Sequence, residues 1–108
     1  MLAQIMNRAL QPNAPQILRI GTGDTPAEIL RKLAGGWAVN LAAFPKTRRK
    51  IELYQGAAAQ AHLEAGRVGN EAEAEAWEKV FETFAEILAV SRNAYEARAM
   101  AAAKGKKE

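Results

Sequence analysis

The chain has no cysteine among its 108 residues. That excludes disulfides, a thiolate nucleophile and any zinc or iron–sulfur centre held by sulfur. His62 is the only histidine and Asp24 the only aspartate. A histidine-rich metal site is therefore excluded, and a Ser-His-Asp relay has one candidate for each of its last two members. Aromatic residues make up 6% of the chain, so large core anchors are few. No apolar run approaches the roughly 20 residues of a membrane-spanning helix. Residues 1–10 hold a single arginine and no sustained apolar stretch, so a secretory leader is not expected there.

Alanine is what the chain has in excess, 24 residues of it. Alanine is the best helix former and buries little surface, so the composition favours helices that approach closely through small side chains. The length suits one domain with a modest core and little room for a deep cleft. The expected division is 1–45 as short helices and turns, 46–103 as a helical hairpin and 104–108 as a frayed basic tail. Charge is sorted along the chain. Residues 1–50 carry a net +6, residues 51–96 a net −6 and residues 97–108 a net +3, so that the whole is +3. Such blocks can attract one another within a fold or between copies, or present a basic face to an anionic partner.

Helical periodicity is read first at Leu2, Ile5, Met6, Ala9 and Leu10, one face of a short amphipathic helix that Pro12 and Pro15 end. Ile17, Leu18 and Ile20 suggest a brief strand. Thr25, Pro26 and Glu28 then form a capping box with proline at the first helical position. Gly35-Gly36 ends that helix. Residues 37–44 fit either period, since Trp37, Val39 and Leu41 alternate while Trp37, Leu41 and Phe44 space helically. The alanines favour a short helix. A helix over 46–65 turns inward Ile51, Tyr54, Ala58, Ala61 and Ala65, with Leu53 and Ala57 beside them. After the connector 66–70, Asn70 caps a helix expected to run unbroken to about residue 103. Its apolar face is Trp77, Val80, Phe81, Phe84, Ile87, Leu88, Ala94 and Tyr95. At about 1.5 Å per residue the arms measure roughly 30 and 50 Å, so the distal part of the second is left without cover by the first. The fold class expected is mainly α, a small bundle built on a long antiparallel hairpin, with an irregular N-terminal region and at most a minor strand.

Gly21-Thr22-Gly23-Asp24 resembles the Gly-x-Gly-Asp motif of ribokinase-like sugar kinases, where the glycines form an anion hole and the aspartate is a general base. The likeness covers five residues with Thr25, and the chain is too short for that α/β fold. A turn followed by a helix cap accounts for the same residues. The hairpin loosely resembles a tetratricopeptide unit, but its last helix is too long for a repeat of about 34 residues and there is no second copy. Residues 26–44 offer a helix-turn-helix spacing, yet the second helix lacks the basic and amide side chains that read base edges, apart from Asn40.

His62 sits one step from Ala61 with no partner suited to catalysis or metal binding, so a structural role is expected. Glu71, Glu75, Glu78, Glu82 and Glu86 form one acidic stripe. No Glu-x-x-His faces it, so a solvated face is expected rather than a di-metal site. The strongest candidate for recognition is Lys46, Arg48, Arg49 and Lys50. Cations at a helix N-terminus oppose the helix dipole, and an anionic partner would offset that. Trp37, Phe44 and Tyr54 flank this cluster, but their spacing suits core packing better than base stacking. Leu2, Ile5, Met6, Tyr95 and Met100 are the candidate oligomer or partner interface. No catalytic, cofactor or metal-binding residue is expected. The reading that follows is a cytoplasmic, non-enzymatic helical adaptor or subunit that binds protein and forms a homo-oligomer. The alternatives are a nucleic-acid accessory protein touching phosphates of DNA or RNA through 46–50, and an inhibitor of the kind phages and mobile elements encode.

Overall fold

A computed structural model of the chain describes residues 16–106. Among them are five helices: α1 (Pro26–Leu33), α2 (Trp37–Ala42), α3 (Pro45–Arg67), α4 (Glu71–Val90) and α5 (Arg92–Lys106). The amphipathic segment with Leu2, Ile5, Met6 and Leu10 lies outside the described residues.

Local signals account for most helix ends. Thr25 Oγ1 accepts from the Glu28 amide at 3.2 Å and the Glu28 carboxylate accepts from the Thr25 amide at 3.0 Å, a complete capping box. Gly36 takes the left-handed conformation, φ 79°, that turns the chain from α1 into α2. Residues 37–42 are helical rather than extended. Pro45 opens α3, where proline costs no hydrogen bond. Asn70 caps α4 through the Glu73 amide, 3.1 Å. The run 17–20 forms no strand, only an isolated bridge between Ile20 and Asp24 across the glycine turn.

α3 and α4 pack antiparallel along most of their length, and α1 and α2 lie across them. Their shared core contains Ile29, Leu33, Trp37, Ile51, Ala58, Trp77, Val80, Phe84 and Ile87, all buried. Tyr54 stacks on Phe84 with ring centroids 6.0 Å apart. His62 Nδ1 lies 2.7 Å from the Ala74 carbonyl oxygen, which ties the two arms together. A carbonyl only accepts, so Nδ1 carries the proton. Two apolar residues expected at the core are not in it. Phe44 is 47% exposed and Leu53 58% exposed. Phe44 is the residue between α2 and α3, and Leu53 falls on the solvent side of α3, away from Ile51 and Ala58.

The long second arm is broken. The expected continuous helix 71–103 divides at Ser91 into α4 and α5. In an unbroken helix the Leu88 carbonyl would accept from the Arg92 amide. Here Arg48, from the other arm, donates to it through Nη2 at 3.0 Å. Ser91 is buried, and its hydroxyl donates back to the Ile87 carbonyl at 2.7 Å. A serine bonded to the preceding turn, with a side chain inserted into the ladder, is a known cause of helix bending.

Candidate interaction surface

The basic cluster at the start of α3 is divided by the fold. Arg48 turns inward. Its Nη1 donates to the Ala42 carbonyl at 3.0 Å and to Ser91 Oγ at 3.1 Å, its Nη2 donates to Leu88, and its guanidinium lies 4.5 Å from the centre of the Tyr95 ring. Arg48 therefore caps the C-terminal ends of α2 and α4 at once. The cation that is unfavourable for the dipole of α3 is favourable for the negative ends of two other helices. No external anion is needed to explain it. Lys46, Arg49 and Lys50 point outward. Arg49 approaches Glu52 at 4.0 Å, and the Lys50 ammonium is 5.9 Å from the Tyr54 ring centre.

The same end of the hairpin carries α5. From Arg92 to Lys104 no side chain is buried, and only Ala94, Tyr95 and Ala99 are even partly covered. Tyr95 sits under Arg48, and Arg98 lies 4.3 Å over the Phe44 ring. Beyond Ala99 the helix meets little, with Met100 64% exposed. The radius of gyration, 16.2 Å, exceeds the about 13 Å of a compact domain of 100 residues. Of the expected interface residues, Tyr95 and Met100 thus lie on one limb. Of the cations on that limb, Arg98 comes beside the start of α3 through Phe44, next to Lys46, while Arg92 pairs with Glu96.

The glycine turn has a different character. It borders an open groove of about 770 Å³ whose lining includes Gly21, Gly23, Asp24, Gln60, Glu64, Glu73 and Trp77. An anion cradle would need free backbone N–H groups there. Those of Thr22, Gly23 and Asp24 all converge on the Arg19 carbonyl, at 3.4, 3.2 and 3.0 Å. Asp24 accepts from Lys32 Nζ and from the Arg19 amide, each at 2.9 Å. The Lys32 hydrogen bond, with the Arg19 amide second, holds its carboxyl below the usual value of 3.8. A carboxylate so stabilised is a poor base, and three carboxylates around the groove repel phosphate. The turn is a pinned structural corner, and the likeness to the sugar-kinase motif ends at the residues.

His62 is engaged with Ala74, and Glu71, Glu75, Glu78, Glu82 and Glu86 all face solvent along α4. Among the described residues no three His, Asp or Glu side chains gather as metal ligands do. No described helix is long and apolar enough to cross a membrane. No family model, curated protein or solved structure matches this chain. The surface must be read from its own chemistry. Sequence reasoning missed the Arg48–Ser91 and Arg98–Phe44 contacts, which join positions more than 40 residues apart. The only signal of the first was the cation placed against the dipole of its own helix, and the second had none.

Proposed function

We propose that this protein acts by binding another polypeptide, as an adaptor or subunit, and performs no chemistry of its own. The observation that carries the reading is α5, a helix of 15 residues that buries no described side chain. An isolated helix of about 12–15 residues is marginal in water, and most helical stability in proteins comes from packing one face. On α5, Tyr95 and Ala99 lie about 40° apart around the helix and Met100 about 140° from Tyr95; they are aromatic, small and flexible side chains, types suited to interfaces.

The test is capture from the source cell with the full chain, in the presence of nuclease, comparing the native protein with Met100→Glu. Met100 is exposed, so the substitution leaves the fold intact. The expected result is a defined polypeptide retained by the native protein and reduced at least about tenfold by a charge placed in the interface. Capture unaffected by Met100→Glu would refute the assignment of the face.

One observation favours a second reading, contact with DNA or RNA. The contact of Arg98 with Phe44 brings one further cation beside the exposed Lys46, Arg49 and Lys50, although Arg48 is spent internally. In that case the log–log salt slope of binding should fall by about 0.9 for each of Lys46, Arg49 and Lys50 replaced by alanine on duplex DNA, and captured material should be lost to nuclease.

A further inference from the structure

The outward face of α3 is symmetric in sequence about Ala58. Arg49 and Arg67 lie nine positions before and after it, Leu53 and Leu63 five, and Gly56 and Gln60 two. At 3.6 residues per turn these six positions share about 80° of the helix surface. All six are exposed, with Leu53 at 58% and Leu63 at 63%. The two arginines make exposed ion pairs with Glu52 and Glu64, Gln60 borders the open groove, and neither leucine belongs to the core. A Cβ on Gly56 would meet no atom within 4 Å, so no close approach inside the chain requires glycine there. Mid-helix glycine costs about 1 kcal/mol relative to alanine.

We infer that α3 pairs with α3 of a second copy, antiparallel, about a two-fold axis at the level of Ala58. A two-fold interface must be self-complementary, and this stripe is. The pairing sets Leu53 beside the partner's Leu63 and Gly56 opposite the partner's Gln60, where the missing side chain lets the backbones close. Arg49 comes level with the partner's Arg67, which places the partner's Glu64 about 4.5 Å along the axis, within reach of its side chain. By symmetry Arg67 reaches the partner's Glu52. Within one chain these cations use the same carboxylates locally. Arg49 pairs with Glu52 and Arg67 with Glu64, all four well exposed. Exposed pairs of this kind contribute little, so exchanging them across the axis costs little. Two helices in contact over about 27 Å bury well under the roughly 1,200 Å² of a stable complex, so the dimer is weak and reversible. This surface is separate from α5, and either can fail without the other.

Sedimentation equilibrium of the full chain from micromolar to millimolar concentration tests the inference. A monomer–dimer equilibrium is expected, with the dissociation constant raised at least about tenfold by Leu53→Glu and unchanged by Met100→Glu. Glu52→Arg should weaken the dimer, and adding Arg67→Glu, which sets an acid against the partner's position 52, should restore it. Positions 52 and 67 lie about 22 Å apart on one helix, so only pairing across the axis makes that rescue. A chain monomeric throughout would overturn the inference, as would a dimer indifferent to Leu53→Glu or a double variant no tighter than Glu52→Arg alone.

Discussion

Arg48 is the residue on which the most structure converges. It satisfies carbonyls of Ala42 and Leu88 and the hydroxyl of Ser91, and it covers Tyr95. Truncating it leaves buried acceptors without a donor, so Arg48→Ala is expected to cost about 2–4 kcal/mol. The check is urea unfolding followed by circular dichroism. Arg48→Lys should recover little of that loss, because one ammonium cannot span three acceptors at the ends of two helices as a planar fork does. Asp24 makes a different prediction. Its folded-state carboxyl is held below its ordinary value first by the Lys32 hydrogen bond, and Glu28 is held down by the Thr25 backbone amide. A depressed carboxyl stabilises the fold at pH values above its unfolded pKa, and that contribution is lost as pH falls through the folded value. Stability should therefore rise with pH between about 3 and 5. Asp24→Asn should flatten that limb in urea titrations at a series of pH values, and an unchanged limb would show that the Lys32 contact contributes nothing.

At the scale of elements, what could be read from sequence was what is local. The Thr25–Glu28 box and Asn70 marked two helix starts because each signal and its partner lie within one turn. The division at Ser91 could not be read that way, because Arg48, which takes up the Leu88 carbonyl there, lies 43 positions from Ser91. Phe44 and Leu53 show the other limit. Periodicity ranks faces by apolarity, but the direction of burial on α3 is fixed by where α1, α2 and α4 settle. α3 also carries a glycine with open space around it. Gly56→Ala is expected to stabilise the monomer by about 0.5–1 kcal/mol, since the added methyl meets nothing and the unfolded chain loses freedom. Thermal melting at low concentration measures it, and a lowered midpoint would mean that the position is crowded.

The molecule as a whole is polarised. The start of α3 carries exposed Lys46, Arg49 and Lys50 with Arg98 beside it, while the outer side of α4 carries Glu71, Glu75, Glu78, Glu82 and Glu86. The block charges visible in the sequence thus survive folding as an arrangement in space, apart from Arg48. The two arms come out nearly equal, α3 with 23 residues and α4 with 20, where a longer second arm was expected, and what extends past them is the separate helix α5 beyond Ser91. The overhang is where the protein has a helix and no cover for it, and the proposed function rests there. Amide hydrogen exchange on the full chain, alone and then with the captured polypeptide, tests this most directly. The expected result is slow exchange over residues 77–88, rapid exchange over 96–104 in the free protein, and selective slowing of 96–104 on binding. Protection of 96–104 equal to that of α4 in the free protein, or slowing confined to other elements on binding, would contradict it.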